Sequence, residues 1–472
     1  MHRINIMRRV ARAIVATVGL SVAASCTADT VLSVEDIDVA RPAALTGATA
    51  LPTVYAAVLS DFQVTYAGSG PSEGHVNLTG VLTDELLYAE TFPTRVQWDR
   101  RSLEPVNGST EAIFRNLLRA HATADLAARR FAEFGLASSA SDNARRAEIY
   151  NLWGYIYLLS GEAWCSGVPF SKITDAGVLE YGLPQTTAQI WARAISKFDS
   201  AATFATAAGA TAATQGQVAQ IGKARALMNQ GQYAAAATAV AGVPVTMRYD
   251  VLHSANSTRQ NNGLWSFIVN GRRWVVANNK GGTGAPFASS NDPRIRPARL
   301  GAQVGFDGAT PLIVPNNFAF DRAMPTNVAR GVEAQLILAE VAARNNDAGY
   351  VTILNTLRAN TSLYACPALL PGCVAPTALP ALTDAGTPAA RLDQVIRERG
   401  FWLYGTAHRL GDFRRLMRND GRTQASVFPS GAYPLGGTYG TDINFPIPQP
   451  DEAGNPNVTS SNTTGLCLDR NP

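Results

Sequence analysis

Two stretches of this chain repeat one plan, and that plan limits the possible folds more than any other feature. From Gln220 to Asn229 the sequence has a helical pattern, Gly231-Gln232-Tyr233 then turns it, and a run of small residues follows from Ala234 to Val240. A second helical pattern, Val332 to Arg344, is followed by Asn345-Asn346-Asp347-Ala348-Gly349 and then by Tyr350, Ile353, Leu354 and Leu357. Helix, short turn with Gly and Tyr, helix with small residues at the contact is the layout of a tetratricopeptide-type hairpin. Small residues let paired helices approach closely, and the tyrosine fills the gap beside the turn. The full repeat consensus is absent, so a generic αα-hairpin is the plainer alternative. Either way the fold class is mostly α, built on degenerate helical repeats rather than a regular solenoid.

Other segments support this. Ala147, Ile149, Leu152, Trp153, Ile156 and Tyr157 fall at helical spacing and stop at Ser160-Gly161. Ile190, Ala194 and Phe198 continue the theme, with Thr186 and Thr187 upstream as helix caps. The period breaks in an Asn-, Gly- and Pro-rich insert, residues 244–328. There Trp265 to Val269 and Arg272 to Val276 flank Asn270-Gly271, which predicts a β-hairpin. The expected division is a helical region 51–243, the loop-rich insert 244–328, a helical region 329–420 and a loop-rich end 421–472. In that last segment Pro446, Pro448 and Pro450 predict an extended run. Long ordered loops on a helical scaffold are the usual place for binding.

The 472 residues carry a formal charge of only +4 and no long Lys/Arg run, so a nucleic-acid partner is not expected. Residues 1–25 read as an export signal, with Arg3, Arg8, Arg9 and Arg12 before the apolar run Ala13 to Ala24. That run is shorter than the roughly 20 residues a membrane-spanning helix needs. Val22-Ala23-Ala24-Ser25-Cys26 follows and resembles the lipobox of bacterial lipoproteins, which predicts a lipid on Cys26 and a tether over residues 26–50. Ordinary signal cleavage with release of the chain is the alternative. The remaining cysteines, Cys165, Cys366, Cys373 and Cys467, suit two disulfides in an exported chain. Cys366 and Cys373 bracket a short Pro/Gly loop and form the expected pair; Cys165 with Cys467 follows only by elimination. A single pair with this spacing lacks the second half of a zinc finger.

Further along, the sequence becomes recognisable. The run Val395-Ile396-Arg397-Glu398-Arg399-Gly400-Phe401-Trp402, continued through His408-Arg409 and Asp412 to Arg414-Arg415, resembles the C-terminal helical region of SusD/RagB proteins. Asn444-Phe445-Pro446-Ile447-Pro448-Gln449 with Asn455-Pro456 is similar to the family's closing segment. Gly167-Val168-Pro169 and Asp292-Pro293-Arg294 resemble its Gly-Val-Pro loop and Asp-Pro-Arg turn, and the four features occur in the family's order. The resemblance implies tetratricopeptide-like hairpins supporting a loop-rich face. It also implies a lipid-anchored outer-membrane protein that captures oligosaccharides or peptides for a SusC-like, TonB-dependent transporter. A helical scaffold binding a protein partner, or a secreted carbohydrate-active enzyme, are the competing readings.

No motif for catalysis or a cofactor stands out. Gly70-Pro71-Ser72-Glu73-Gly74 matches the G-x-S-x-G pattern, but loop signals surround it where a serine hydrolase needs strand, then helix. Lys280-Gly281-Gly282-Thr283-Gly284 lacks the Gly-Lys-Ser/Thr ending that cradles phosphate. His408 and Asp412 are one helical turn apart, yet no nucleophile or metal motif accompanies them, so a structural ion-pair network is the expected role of that cluster. Neither an enzyme activity nor a cofactor is expected. Sugar sites combine aromatic faces with guanidinium, amide and carboxylate groups. Trp153, Trp164, Trp191 and Trp402 lie in helical patterns and belong to the core. Trp98, Trp265 and Trp274 lie in polar, loop-like contexts and are the candidate ligand platforms. Asp84 and Arg95, which family resemblance places on the binding face, and Arg272, Asn278 and Asn279 near Trp274 complete the candidate set.

Overall fold

A computed structural model describes residues 45–449, 454–458 and 467–472, and Thr46–Pro472 forms one unit. The export signal, Cys26, most of the tether and Pro450 lie outside the described residues. Among the described residues no helix is long and apolar enough to cross a membrane.

The helices are α1 Leu51–Ala67, α2 His75–Leu82, α3 Pro93–Arg100, α4 Gly108–Phe134, α5 Ala140–Ala163, α6 Thr187–Ala208, α7 Ala213–Asn229 and α8 Tyr233–Val240, followed by α9 Gly331–Arg344, α10 Tyr350–Ala359, α11 Pro388–Trp402 and α12 Arg409–Asp420, with one-turn helices besides. They pack as four pairs: α1 on α4, α5 on α6, α7 on α8 and α9 on α10. Successive pairs touch through α4–α5, α6–α7 and α8–α9, and α11 closes against α9. The tetratricopeptide-like plan read from the sequence is the observed one.

Local chemistry sets the ends of these helices. Thr186 Oγ1 accepts from the Gln189 backbone N–H while the Gln189 side chain accepts from Thr186, a reciprocal cap on α6. Asn107 Oδ1 accepts from the amides of Ser109 and Thr110 at the start of α4. Close helix approach depends on missing side chains. The Phe198 ring of α6 lies between Gly154 of α5 and Gly222 of α7, and a Cβ at either glycine would come within 2.7 or 2.3 Å of it. Tyr350, fully buried beside its turn, donates to Gln394 of α11, and Tyr233 faces the Arg344 guanidinium at 4.1 Å.

Short antiparallel strand pairs make up the loop-rich side: β1 Leu86–Tyr88, β2 Val168–Pro169, β3 Lys172–Ile173, β4 Leu179–Glu180, β5 Pro184–Gln185, β6 Arg248–Val251, β7 Trp274–Val276, β8 Pro297–Val304, β9 Pro311–Pro315 and β10 Thr326–Arg330, paired β1–β7, β2–β5, β3–β4, β6–β10 and β8–β9. The hairpin expected around Asn270-Gly271 does not form. Trp265–Asn270 is instead a single π-helical turn, started by Asn262 Oδ1 accepting from the Trp265 amide. Gly271 keeps φ −85°, and the left-handed residue is Arg272, at φ 52°. The two-residue primed turn needs positive φ at its centre, which Gly271 does not supply, and β7 pairs with β1 instead.

Disulfides join Cys366 to Cys373 and Cys165 to Cys467. The second ties the C-terminal segment to the end of α5, where Ser166 and Asp469 also form a β-bridge. Trp153, Trp164, Trp191 and Trp402 are all buried.

Candidate functional site

Three loops meet at the edge of the β1–β7 pair. The register runs Leu86 to Val276 and Tyr88 to Trp274, and beyond it the Ala89 amide donates to the Arg273 carbonyl at 2.9 Å. The turn between β8 and β9 then docks on both strand ends. Phe306 N–H donates to the Arg272 carbonyl at 2.8 Å, and Asp307 N–H to the Ala89 carbonyl at 3.1 Å. Gly305 is required by this docking, because a Cβ there would lie 2.6 Å from the Ala89 oxygen. Asp307 accepts from the amides of Ala309 and Thr310 and from the Thr310 hydroxyl. Partial burial pushes its carboxyl up, but these hydrogen bonds prevail and hold it below the usual carboxylate value. Backbone hydrogen bonds therefore fix all three loops against one another.

The junction presents Phe92 and Phe306, 47% and 50% exposed. Between them lies Arg273, its guanidinium carbon 5.3 Å from the centroid of one ring and 5.5 Å from that of the other. Arg95 faces Phe92 at 5.5 Å and Phe267 at 5.3 Å. Beneath them Glu90 accepts from Arg273 at 2.6 Å and from Arg95 at 3.3 Å. Arg95 also pairs with Glu73. Burial pushes the Glu90 carboxyl up, against the pull of Arg95 and Arg273. Arg272 is exposed, with no ion-pair partner among the described residues. Two half-exposed aromatic rings around oriented guanidinium groups form a surface suited to the apolar face and hydroxyls of a sugar ring.

The sequence-derived candidates divide. Arg95 and Arg272 belong to this junction. Trp265 is half-buried on the π-helical turn. Exposed Asn278 is held by Ser289, whose amide and hydroxyl both donate to its Oδ1. Asn279 lines a separate cavity of about 540 Å³ with Arg409 and Phe413. Trp98, Trp274 and Asp84 are corrections: each is 0% exposed and offers no surface to a ligand in this structure. Trp98 packs edge-on against Phe445 at 4.5 Å, and Trp274 beside Tyr88 at 6.1 Å. Asp84 is consumed by Arg409 at 2.7 and 2.8 Å and by the Ala285 amide. Among aromatic residues the sequence reading weighed only tryptophans and so missed Phe92 and Phe306; Arg273 was passed over beside its neighbour Arg272. The signal available was phenylalanine in loop contexts, Thr91-Phe92-Pro93 and Gly305-Phe306-Asp307.

The polar cluster near α11 and α12 is an interior network. Arg399 is bidentate to Asp412 at 2.8 and 2.9 Å, and Arg415 pairs with both Asp412 and Glu340. Glu398 accepts from Arg294 and Arg358. His408 faces Glu333 at 2.9 Å rather than Asp412, and Arg414 donates to the carbonyls of Gly161, Glu162 and Trp164. The sequence Gly70–Gly74 follows α1 and leads into α2, so no strand precedes Ser72 as a nucleophile elbow needs.

Comparison with known proteins gives the fold its context. No family model and no curated protein matches the chain. Solved structures do. A SusD/RagB family protein from Bacteroides thetaiotaomicron VPI-5482 is similar with a TM-score of 0.63 and 14% identity, over 87% of this chain and 96% of that one. A SusD-like carbohydrate binding protein from Bacteroides fragilis NCTC 9343 is similar at 0.61 and 14%, over 87% and 99%. Surface glycan-binding protein A from Bacteroides uniformis is similar at 0.61 and 13%, over 87% and 98%. The chain has the SusD/RagB fold, the one its motifs resemble.

Proposed function

We propose that this protein is a SusD/RagB-type binding protein whose Phe92–Arg273–Phe306 face takes up oligosaccharides. The observation that carries this reading is the pair of half-exposed aromatic rings flanking one oriented guanidinium. Solved neighbours described as carbohydrate- or glycan-binding lend support. Stacking on the rings would supply affinity, and Arg272, Arg273 and Arg95 would choose among hydroxyl or acidic groups. The role is capture rather than turnover, since the acids of the His408 cluster are held by arginine or histidine in the interior. Following the sequence resemblance, Cys26 carries the lipid that holds the chain at the outer-membrane surface. There it delivers ligand, oligosaccharide or in a variant of this reading peptide, to a SusC-like TonB-dependent transporter.

Two measurements test this. Binding of the full chain to an oligosaccharide panel is expected to show ligands whose affinity falls about tenfold, ~1.4 kcal/mol, in Phe92→Ala and in Phe306→Ala. A pull-down of tagged chain from outer membranes is expected to recover a large β-barrel receptor in near-equal amount. No glycan bound by the intact protein would defeat the ligand reading, and a soluble chain recovering no barrel would defeat the transporter reading.

A further inference from the structure

A cavity between α4, α5 and α6 shares no residue with the Phe92–Phe306 face. Its volume is about 340 Å³, within the range of small-molecule sites, roughly 300–1,000 Å³. Its floor is aromatic and buried: His121 from α4, Trp153 and Tyr157 from α5, and Phe170 from the loop that follows. Its rim is cationic. Lys197 Nζ lies 3.4 Å from the Trp153 ring centroid, and the Arg193 guanidinium 5.9 Å from that of Tyr157. Among the described residues neither cation has a carboxylate within ion-pair distance; Asp125, whose charge reaches Lys197, is paired with Arg129 at 3.1 Å, and Lys172 with Glu180 at 2.8 Å.

His121 adds a third donor. The Trp153 indole can only donate, and it donates to His121 Nδ1 at 2.9 Å. The neutral imidazole therefore carries its proton on Nε2. Burial, reinforced by Arg193 and Lys197, holds this histidine at about 3, so the ring is neutral at physiological pH. Burial likewise pushes the Lys197 ammonium down, against the opposing charge of Asp125 and with a smaller contribution from Arg193. Lys197 and Arg193 repel one another, Asp125 on the same rim offsets part of that cost at Lys197, and an anion in the cavity would remove more of it.

We propose that this cavity binds a small carboxylate-bearing ligand, with Lys197 and Arg193 taking the carboxylate and the His121–Trp153–Tyr157 floor taking its apolar part. Such a group could belong to an acidic sugar or to a peptide end. This inference does not rest on the glycan-face reading.

The test is calorimetric titration of the full chain with glucuronate, N-acetylglycine and glucose, alongside spectra of histidine labelled at Cε1, with the His121 signal assigned from His121→Gln. At least one carboxylate is expected to bind and move the His121 resonance. Lys197→Met and Arg193→Gln are each expected to weaken binding tenfold or more, with far-UV circular dichroism unchanged. Glucose is expected not to bind there. Glucuronate alone would identify an acidic sugar, and N-acetylglycine alone a peptide carboxylate. The proposal is overturned if neither carboxylate moves His121, if glucose does so equally, or if both variants bind as the native chain does.

Discussion

Asp84 and Arg409 form a buried bidentate pair, 2.7 and 2.8 Å, across 325 positions of sequence. The pair ties the segment between α2 and β1 to the first turn of α12, and Asp84 also accepts from Ala285 in the insert. Burial alone would raise the Asp84 carboxyl, but Arg409 holds it below the ordinary carboxylate value. Removing one partner leaves the other charge buried and unpaired, at about 3–5 kcal/mol. Asp84→Asn and Arg409→Met are each expected to lose that much in denaturant unfolding, and the double variant distinctly less than their sum. Oligosaccharide affinity per folded molecule is expected to stay unchanged, since Asp84 is closed to ligand.

The exposed phenylalanines and the buried tryptophans make opposite predictions. Phe92→Ala and Phe306→Ala are expected to weaken oligosaccharide binding with a change in unfolding free energy of about 0.5 kcal/mol or less, as for exposed positions. Trp98→Ala and Trp274→Ala are expected to cost about 3–5 kcal/mol of stability through the cavities they leave. Paired titration and thermal unfolding of the four variants would check this. Affinity lost with stability kept in the tryptophan variants would restore them as ligand platforms.

What the sequence revealed and what it hid follow from distance along the chain. The α7–α8 and α9–α10 hairpins were legible because each turn is local, with positive φ at Gly231 in one and Asn346 in the other. Trp98 looked loop-like because Asp99, Arg100 and Arg101 follow it. Asp99 is in fact buried against Lys280 at 2.7 Å, and Arg101 donates to the carbonyls of Pro429 and Asp442. Local polarity cannot distinguish a solvated loop from an interior ion pair whose partner lies far along the chain. The same holds for the site. Glu90, Phe92, Arg273 and Phe306 become neighbours only through the β1–β7 pairing and the docked β8–β9 turn, and no local pattern encodes either.

That docking depends on Gly305. Gly305→Ala would place a methyl carbon against the Ala89 carbonyl and is expected to cost about 1–3 kcal/mol as an overpacked contact. The larger effect is expected on binding, because the displaced turn carries Phe306. A crystal structure or amide exchange over residues 305–310 would show the shift. Affinity equal to the native chain's would mean that this turn does not shape the ligand face.

Stability should peak near pH 6.5, because two sets of buried groups titrate against each other. Burial lowers His75 to about 4, His121 to about 3 and His253 to about 4. Below the ordinary histidine value the unfolded chain takes up protons that these rings refuse, so stability falls as pH drops from about 6.5 toward 4. Glu85 acts in the other direction. Burial, with the neighbouring Asp84 charge, raises it to about 8, and its Oε2 has no hydrogen-bond partner. Between its ordinary value of about 4.5 and the raised one, the unfolded carboxyl is ionised while the folded one keeps its proton, so this contribution falls as pH rises to about 8 and then levels off. Three histidines outweigh Glu85 below pH 6.5; as protonation of the unfolded rings fades above it Glu85 prevails, joined by the raised carboxyls of Glu90 and Asp442. Thermal unfolding from pH 5 to 9 is expected to show this maximum. Glu85→Gln keeps an acceptor for the Gly405 amide, which Glu85 Oε1 now receives at 3.1 Å, and removes the charge. It should flatten the decline between pH 6.5 and 8 while leaving the acid limb in place. An unchanged decline would show that Glu85 is ionised in the folded protein throughout this range.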